Sequence, residues 1–375
     1  MKIGLLSLPL NWNYGGILQQ YALKETLQGM GHVVTIFSRR MDRDGMLRRA
    51  PVCFKWKTLS YLAYIPFLRF LPLIGVQDFK RRHLTNLTGE IFDDATARKL
   101  SVDLALKAFV VGSDQVWNRT ATPKLYNYYL DFTHEIPDVR RIAYAASFGK
   151  SEWDYSEAET KMCAELAQSF DAISVREDSG VTLCREKLGV AAVHMPDPTL
   201  LLKKEQYQAV ISGARICTQP NSLLTYILDD SEYKRIVVSG VAKALTLDVV
   251  ELMPQGIGAT IKEAFKGKRA TVEQWLSSFD SAEFVVTDSF HGTLFSIKFN
   301  KPFIAIANEA RGVARFQSFL KLVGLEDRLV FEEGDYSELL ARPIDWIEIN
   351  QKVEEQSQQA YEFLELGLEG HSDGH

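Results

Sequence analysis

The chain opens with a short apolar run, a glycine turn and a longer segment whose apolar residues recur at helical spacing. Residues 2–7 (KIGLLS) predict a buried strand, and the turn NWNYGG leads into ILQQYALKETLQGMG, a helix that Gly31 closes. The run VVTIF that follows predicts a second strand. A strand, a helix and a strand in this order indicate a βαβ unit and therefore a mainly parallel sheet.

Apolar runs alternate with helical segments in two further stretches of the chain. The first stretch contains the predicted strands AFVVGS (108–113), RIAYAAS (141–147) and DAISV (171–175), and the predicted helix SEAETKMCAELAQSF. The second, after the turn MPDPT (195–199), contains the predicted strands SLLTYIL (222–228), RIVVS (235–239), EFVVTD (283–288) and PFIAIA (302–307). We therefore predict an α/β fold with domains at 1–195 and 196–343, and a closing helix with a frayed tail at 344–375.

Length and composition fit two globular domains and exclude several classes of protein. The 375 residues exceed what one hydrophobic core usually organises, and their composition, 46% hydrophobic and 24% charged, is that of a globular protein. The net charge of -5 argues against a general nucleic-acid binder, which would carry a strongly basic domain. The cysteines form no CxxC pair and so indicate a reducing cytoplasm; they are Cys53, Cys163, Cys184 and Cys217.

The segment at about 39–82 interrupts the α/β alternation within the N-terminal domain. It holds eleven Lys or Arg against three Asp, with aromatic and aliphatic residues interleaved. One interpretation is a surface that meets anionic headgroups, as a peripheral contact at the inner membrane face. The other is an amphipathic helical insertion that packs on its own domain. A membrane-spanning helix is not predicted, because Pro66, Arg69 and Pro72 interrupt the most apolar part.

Loops that follow the strands of an open α/β sheet are the places where such folds bind ligands. The first such loop, Asn13, Tyr14, Gly15 and Gly16, lets backbone N–H groups approach a ligand at a helix N-terminus. It lacks the GxGxxG and GxxxxGK(S/T) fingerprints, so neither a dinucleotide site nor a P-loop is predicted. Ordinary turn chemistry is the alternative.

The second loop, GSDQVWN at 112–118, places hydrogen-bonding side chains beside an indole. Asp114 and Asn118 can accept from and donate to hydroxyl groups, and Trp117 can cover the apolar face of a sugar. Ser113 and Gln115 add polar groups to the same loop. The mixture predicts a sugar site; the alternative is that Ser113 and Asp114 cap a helix.

The third loop, TDSFHGT at 287–293, carries a histidine between a predicted strand and a predicted helix. The imidazole of His291 can exchange protons near neutral pH, and the helix N-terminus supplies N–H donors for an anion. We assign Ser289, Gly292 and Thr293, which flank the histidine, to the binding of that anion. The alternative is a histidine held by Asp288 for structural reasons.

Three arginines near strand ends are candidates for an anionic ligand, because carboxylate and phosphate groups need charge-assisted, preferably bidentate partners. Arg176 follows the strand DAISV, and Arg311 and Arg315 follow PFIAIANEA. Each alone also fits a solvated arginine, or one paired with Glu177 or Asp178. Only their convergence would make them functional.

Six motifs follow one another along nearly the whole chain: NYGGILQQYAL, VGSDQVWN, YAASFG, SVREDSG, DPTLLL and TDSFHGTLFSIKFNKPF. In this order they resemble the polysaccharide pyruvyl transferase family. The resemblance implies a fold like that of the GT-B glycosyltransferases, with two Rossmann-like domains facing across a cleft. It also implies phosphoenolpyruvate as co-substrate and two hydroxyls of a sugar as acceptor, in bacterial surface polysaccharide or glycolipid-precursor synthesis. The reaction that the resemblance implies requires neither a metal nor a further cofactor.

The resemblance also implies roles for individual residues. The basic residue of the family's S-x-R-(D/E) motif falls on Arg176, the histidine before Gly-Thr on His291, and the basic residue before the SFL-type helix on Arg315. His291 is then the acid-base candidate, with Asp114 as a second catalytic candidate. The loops at 13–16 and 113–118 are assigned to the acceptor, and the arginines to phosphoenolpyruvate.

One position departs from the family pattern. Many relatives have an arginine two places before the histidine, where this chain has Ser289, so one donor contact is missing or is supplied by Arg311. Two rival interpretations stay open: a GT-B glycosyltransferase that uses a nucleotide sugar, and a carbohydrate-binding relative without catalysis. The basic segment at 39–82 suggests an acceptor carried on a lipid pyrophosphate.

Overall fold

The computed structural model of the chain forms two compact units. It describes residues 1–10, 13–40, 74–212, 221–253, 270–308 and 312–369. With the gaps just given, the first unit contains 1–40, 84–202 and 351–369, and the second contains 74–83 and 203–350. Most of the basic segment (41–73), Arg311 and the predicted frayed tail from 370 onward lie outside the described residues.

A seven-stranded parallel sheet forms the centre of the first unit. Its strands are β1 (Lys2–Leu6), β2 (Val33–Arg39), β3 (Leu87–Ile91), β4 (Ala108–Gly112), β5 (Arg140–Ala146), β6 (Ala172–Val175) and β7 (Val193–His194). They lie in the order β3-β2-β1-β4-β5-β6-β7, and all neighbouring pairs are parallel. The strand order reverses between β1 and β4, so a ligand crevice is expected at their carboxyl ends.

A five-stranded parallel sheet forms the centre of the second unit. Its strands are β8 (Ser222–Tyr226), β9 (Asp248–Glu251), β10 (Phe284–Thr287), β11 (Phe303–Ile306) and β12 (Leu329–Val330). They lie in the order β12-β11-β10-β8-β9, again with parallel neighbours. Here the reversal falls between β8 and β10. The predicted α/β class with parallel sheets is confirmed in both units.

Several of the α-helices begin at a residue whose side chain caps the first turn. They are α1 (Tyr14–Gly29), α2 (Ile74–His83), α3 (Asp94–Asp103), α4 (Glu157–Ala167), α5 (Asp178–Leu183), α6 (Lys204–Ser212), α7 (Glu232–Leu245), α8 (Val272–Ser281), α9 (Phe290–Lys298), α10 (Ala314–Val323), α11 (Ser337–Ala341) and α12 (Trp346–Glu369). Ser156 and Thr271 form capping boxes at the starts of α4 and α8, and so satisfy N–H groups of the first turn. After α1 the chain turns at Gly31, which has φ 86.

The central strands are buried along their whole length, as continuous apolar runs predict for parallel sheets. Every residue of β4, β8, β10 and β11 is buried. In the first unit the ring of Phe109 lies edge-on to Phe37 and Phe132, with centroids 5.1 and 5.3 Å away. In the second unit the ring centroid of Trp275 lies 4.4 Å from that of Phe279 and 5.1 Å from that of Phe295. These cores fix the strand ends that carry the polar loops.

The run RIVVS at 235–239, predicted as a strand, lies inside α7. Ser231 caps this helix by accepting a hydrogen bond from Lys234 N, and Val237 and Val241, four residues apart, are buried on one face. A short apolar run fits a strand or a buried helix equally well, so the cap and the residues beyond the run decide. The strand of this region is β9, directly after α7.

The described end of the basic segment belongs to the second unit and not, as predicted, to the N-terminal domain. Helix α2 packs on α8, with Val76 and Phe79 buried, and Arg82 forms an ion pair with the buried Glu273 at 2.5 Å. This part therefore follows the packed-helix interpretation. Among the residues described, no helix combines the length and apolar composition needed to cross a bilayer.

The boundary between the units lies after Leu202, later than the predicted boundary at 195, and α12 belongs to the first unit from Gln351 onward. Ser357 donates a hydrogen bond to the carbonyl oxygen of Leu200 at 3.1 Å, and the ring of Phe363 lies 6.3 Å from that of Tyr144. Gly367 approaches Ala172 of β6 so closely that a Cβ at this position would lie 3.0 Å from it. The closing helix thus completes the first unit.

Candidate functional site

A cavity of about 320 Å³ lies in the first unit, at the reversal between β1 and β4. Three strand ends reach it, because Ser7 follows β1, Arg40 follows β2 and Asp114 follows β4. Its other polar lining residues are Asn13 and Gln19, and its apolar lining comes from Leu8, Pro9, Leu10, Ile17, Ala121 and Pro123. Apolar walls with a few placed polar groups are typical of small-molecule sites.

A buried arginine connects the carboxylates at this crevice. Arg176, which follows β6, is 2% exposed; its Nη1 lies 2.9 Å from Asp197 Oδ2 and its Nη2 lies 3.5 Å from Asp114 Oδ1. Burial disfavours the charged guanidinium, but Asp197, Asp114 and Glu177 outweigh burial and raise the pKa of Arg176 above its ordinary value. Arg176 therefore stays a cation that is shared between two carboxylates.

Asp197 is held from several sides. Its Oδ1 accepts hydrogen bonds from the backbone N–H of Thr199 at 3.0 Å and from the Thr199 hydroxyl at 2.8 Å. Its Oδ2 accepts from Arg176 and from Gln19 Nε2, and Gln19 also donates to Ser113 Oγ at 3.2 Å. One buried polar network thus joins α1 to the loops after β4, β6 and β7.

The loop after β4 has a backbone that few residues can adopt. Gly112 has φ 143, and a Cβ there would lie 2.0 Å from the carbonyl oxygen of Tyr144. Asp114 has φ 65, a left-handed value that is uncommon outside glycine, and its carbonyl oxygen accepts from Ser147 N at 3.0 Å. Such conformations persist where surrounding structure enforces them, and they cluster at functional sites.

The predicted acceptor loop at 13–16 is divided between the cavity and the core. Asn13 and Gly16 line the cavity, whereas Tyr14 and Gly15 are buried in the first turn of α1. Ser113 of the second loop is also buried, and its hydroxyl donates to the carbonyl oxygen of Ala145 at 3.3 Å. Within the described chain, Asn13, Gly16 and Asp114 are the predicted acceptor-side residues that reach the cavity.

Trp117 belongs to the core, and its predicted role as the cover of a sugar face is wrong. The indole is fully buried, stacks on Tyr129 with ring centroids 4.9 Å apart, and donates from Nε1 to the carbonyl oxygen of Tyr128 at 3.0 Å. Gln115 accepts a hydrogen bond from Asn118 Nδ2 at 2.7 Å, so these two residues, both predicted to bind the sugar, bind each other. The sequence pattern around a tryptophan that follows a strand is the same whether the indole packs in the core or lines a sugar site.

In the second unit, a buried carboxylate connects the ends of β8 and β10. Asp288 follows β10 and is fully buried; its Oδ1 accepts from Leu228 N at 2.6 Å. Its Oδ2 accepts from Asp229 N at 3.2 Å, from Lys234 Nζ at 2.7 Å and from Asn308 Nδ2 at 3.2 Å. N–H and ammonium groups of the kind that bind ligand anions are thus occupied by Asp288.

His291 lies at the N-terminus of α9, beside the ring of Phe290. The two rings are edge-on with centroids 5.8 Å apart, and the guanidinium carbon of Arg315 lies 5.5 Å from the same Phe290 centroid. His291 is 7% exposed and Arg315 6%. An imidazole and a guanidinium therefore share one aromatic ring at a helix end whose dipole favours an anion.

Among the described residues, the hydrogen bonds to Asp288 come from Leu228 N, Asp229 N, Lys234 Nζ and Asn308 Nδ2, and His291 is not one of these donors. Ser289, Gly292 and Thr293 build the helix N-terminus instead of a pocket wall. Ser289 Oγ accepts from Gly292 N at 3.4 Å, and Thr293 is fully buried. A Cβ at Gly292 would lie 2.2 Å from Thr287 Oγ1. Their assignment to the donor stays a prediction.

The structure divides the predicted site residues between the units. Arg176 lies in the first unit with Asp114, whereas His291 and Arg315 lie in the second. Arg311, the fourth basic candidate, falls outside the described residues. Arg176 and Arg315, which the family resemblance assigns to one anion, therefore belong to different units.

Sequence reasoning did not single out Gln19 and Asp197, which complete the network of the first unit. Asp197 lies in the turn MPDPT and in the motif DPTLLL, and Gln19 lies in the motif NYGGILQQYAL, but neither motif indicates a role for these side chains. The contacts of Gln19 span 94 residues to Ser113 and 178 residues to Asp197, which no local pattern can reveal. Arg40 lay within the basic segment, where only its charge was noted.

Solved structures of similar fold share little sequence with this chain. Arabidopsis thaliana UGT89C1, complexed with UDP-L-rhamnose, superposes with a TM-score of 0.53 at 10% identity, over 98% of both chains. A putative UDP-N-acetylglucosamine 2-epimerase from Listeria monocytogenes gives 0.52 at 9% identity, over 100% of this chain and 97% of that one. These similarities concern the fold alone, and they confirm the predicted GT-B-like class.

Sequence comparison identifies the family. No curated protein matches the chain. The profile of the family described as polysaccharide pyruvyl transferase matches residues 13–310, which is more than three quarters of the chain and includes the loops with Asp114, Arg176 and His291. The chain therefore belongs to the polysaccharide pyruvyl transferase family.

Proposed function

We propose that this protein transfers the pyruvyl group of phosphoenolpyruvate to two hydroxyls of one sugar, as a cyclic ketal. C2 of phosphoenolpyruvate forms a bond to each hydroxyl oxygen, and the bond from C2 to the phosphate oxygen breaks. One hydroxyl proton is balanced by the proton added to the methylene carbon, which becomes a methyl group, and the other leaves with phosphate. The reaction needs an acid, a base, and cations beside the carboxylate and phosphate.

The observation that carries this proposal is the pairing of His291 and Arg315 around Phe290 at the start of α9. A small donor with two anionic groups needs a cation, N–H groups and a proton donor within one pocket. Arg315 supplies the cation, the helix N-terminus supplies positive potential, and the imidazole can carry the proton. Because Arg315 is nearly buried, water screens the charge of its guanidinium less than at an exposed site.

In this proposal His291 gives a proton to the methylene carbon as C2 becomes oxocarbenium-like. Arg315 binds the carboxylate or phosphate and stabilises the charge that develops on the leaving phosphate. Arg311, which lies outside the described residues, remains the proposed second cation in place of the arginine absent at Ser289. No step calls for a metal or a further cofactor.

We place the acceptor sugar in the cavity of the first unit. Its apolar wall suits the face of a sugar ring, and Asp114, Asn13 and Gln19 offer acceptors and donors to hydroxyl groups. Asp114 is the group proposed to take the hydroxyl proton. The identity of the sugar depends on side-chain placement around this cavity.

The experiment is mass spectrometry of products from reactions of the purified protein with phosphoenolpyruvate and a panel of galactosyl, N-acetylmannosaminyl and glucosyl acceptors. We expect one acceptor to gain the mass of pyruvic acid minus water. A gain of one hexose from a nucleotide sugar would establish the rival glycosyltransferase. Sugar binding without release of phosphate would establish the carbohydrate-binding rival.

We further propose that the protein works in the cytoplasm, at the inner membrane face, on an acceptor carried by a lipid pyrophosphate. The net +8 of the segment at 39–82 supports this, and Arg81, at the end of α2, has a side chain that is 79% exposed. Sedimentation with anionic vesicles tests it. Cosedimentation that is lost at high salt is expected, and no binding at low salt would contradict it.

A further inference from the structure

The family resemblance assigns Arg176 to phosphoenolpyruvate, but the residues around Arg176 fit a different role. Its side chain is 1% exposed, and its guanidinium is engaged by the carboxylates of Asp197 and Asp114. Glu177, the next residue, is buried as well, so three carboxylates neighbour one guanidinium. A carboxylate or phosphate ligand brought to Arg176 would be repelled by this excess of negative charge.

We propose that Arg176 is a positioning residue that holds Asp114 in the orientation in which its carboxylate accepts a sugar hydroxyl in the cavity. The inference rests on the proposed function, since it concerns the acceptor half of that reaction. Asp114 lines the cavity, whereas Arg176 is not part of its lining in the described chain. The arginine therefore acts through Asp114.

The geometry of the guanidinium explains why an arginine is needed. Nη1 donates to Asp197, which Thr199 and Gln19 hold in place, so the plane of the fork is fixed from that side. Nη2 is then directed to Asp114 at 3.5 Å. A planar fork can serve two carboxylates in a set orientation, whereas an ammonium is a point charge on a flexible stem.

The backbone of Asp114 adds to this control. At φ 65 the residue is held in a left-handed conformation, and Oδ2 lies near Gly16, where a Cβ would stand 3.4 Å from it. Oδ1 faces Arg176 and Oδ2 faces the wall that α1 gives to the cavity. In the transfer step Oδ2 takes the proton of a sugar hydroxyl while that oxygen forms its bond to C2 of the donor.

The test compares Arg176→Lys, Asp114→Asn and the double variant, with phosphoenolpyruvate and the sugar varied separately. We expect Asp114→Asn to lower kcat/KM for the sugar about 100-fold and Arg176→Lys about tenfold, with KM for phosphoenolpyruvate changed less than about twofold. The double variant should be no slower than Asp114→Asn alone, because Arg176 acts through that carboxylate. Additive losses, or a tenfold rise in KM for phosphoenolpyruvate in Arg176→Lys, would overturn the proposal.

Matched controls come from the same unit. Arg140→Lys alters a half-exposed arginine that pairs with Asp171, and Asp138→Asn alters an exposed aspartate that also has a left-handed φ of 54. Both should keep wild-type kinetics. If Arg176→Lys does not fold, as judged by circular dichroism, Asp197→Asn removes the anchor of the guanidinium instead. It should lower kcat/KM for the sugar without raising KM for phosphoenolpyruvate.

Sugar binding separates failure of this proposal from failure of the proposed function. Saturation-transfer NMR measures the binding of methyl galactoside, N-acetylmannosamine and methyl glucoside to the protein in the absence of phosphoenolpyruvate. If the wild type binds a sugar but releases no phosphate from phosphoenolpyruvate, the proposed function fails, and weaker binding by both Asp114→Asn and Arg176→Lys still supports the positioning role. Unchanged binding in Arg176→Lys, or no binding by the wild type, overturns it.

Discussion

The two units have the same parallel α/β architecture but opposite arrangements at their strand-order reversals. In the first unit the crevice between β1 and β4 stays open as a cavity, lined by Asp114 with Arg176 paired to it. In the second, the buried Asp288 connects the ends of β8 and β10 and pairs with Lys234, and His291 and Arg315 gather at the neighbouring helix end. Similar folds can thus carry a carboxylate at an open cavity in one unit, and a histidine and an arginine at a helix N-terminus in the other.

This difference fits a reaction with two unlike substrates. A sugar offers hydroxyl groups and an apolar ring face, and phosphoenolpyruvate offers a carboxylate and a phosphate. The first set matches the lining of the open cavity, and the second matches the imidazole of His291 in α9 and the guanidinium of Arg315 in α10. We therefore expect a variant in one unit to change the kinetics of the substrate assigned to that unit, and to leave KM for the other substrate unchanged.

The largest effect is expected for His291→Ala, which removes the proposed proton donor from the second unit. We expect kcat for phosphate release to fall by about 10²–10⁴-fold, because general acid-base catalysis typically contributes that much. KM for the sugar should stay constant. His134→Ala, at an exposed histidine of the first unit, serves as control. Full turnover by the His291 variant would remove this residue from the mechanism.

Asp288→Asn should lower the free energy of unfolding by about 3–5 kcal/mol, because Lys234 would lose the charge that balances it in a buried place. Urea denaturation measures this change. Asp230→Asn, which breaks the more exposed ion pair with Arg235, is the control and should cost about 0–1 kcal/mol. If both variants had the same free energy of unfolding, the buried ion pair of Asp288 with Lys234 would not stabilise the second unit.

Arg315→Ala should raise KM for phosphoenolpyruvate about 10–100-fold, the loss of a charged hydrogen bond of about 1.5–3 kcal/mol. KM for the sugar should change little. Arg235→Ala, at an arginine whose side chain is 67% exposed in the same unit, controls for general loss of positive charge. A larger effect on the sugar than on phosphoenolpyruvate would reverse the assignment of the two crevices.

The smallest effect concerns the packing beneath His291. Gly292→Ala should destabilise the protein by about 1–3 kcal/mol in thermal or urea unfolding, since the new Cβ would meet Thr287 Oγ1 at 2.2 Å. Gly240→Ala is the matched control: it lies in α7 with nothing within 4 Å of the added Cβ, and should stabilise by about 0.5–1 kcal/mol. Equal effects at the two glycines would show that α9 can shift away from β10.

Much of the fold could be predicted from the sequence, because the central strands are continuous apolar runs and the strand-end loops carry glycines and polar residues. The loops with Asp114 and His291 could be found this way. The strand predicted at RIVVS was wrong because an apolar run of that length also fits the buried face of α7. The cap at Ser231 and the residues beyond the run decide its conformation.

The contacts within the site could not be predicted from the sequence, because they depend on residues that are distant along the chain. Gln19 and Asp197 meet across 178 residues, and nothing near either one indicates the other. Trp117 gave the signal of a sugar platform, yet Tyr129 and the surrounding core cover it. A polar or aromatic residue at a strand end thus marks a region, and the tertiary packing decides which side chains face a ligand.

The stoichiometry of one reaction shows whether the protein forms a pyruvate ketal from phosphoenolpyruvate. Wild-type protein, phosphoenolpyruvate and the acceptor that the panel identifies are incubated together, and inorganic phosphate and pyruvylated sugar are quantified in the same sample. We expect one phosphate to be released for each ketal formed. Phosphate released without ketal, or an acceptor that gains a hexose instead of pyruvate, would contradict the proposed function.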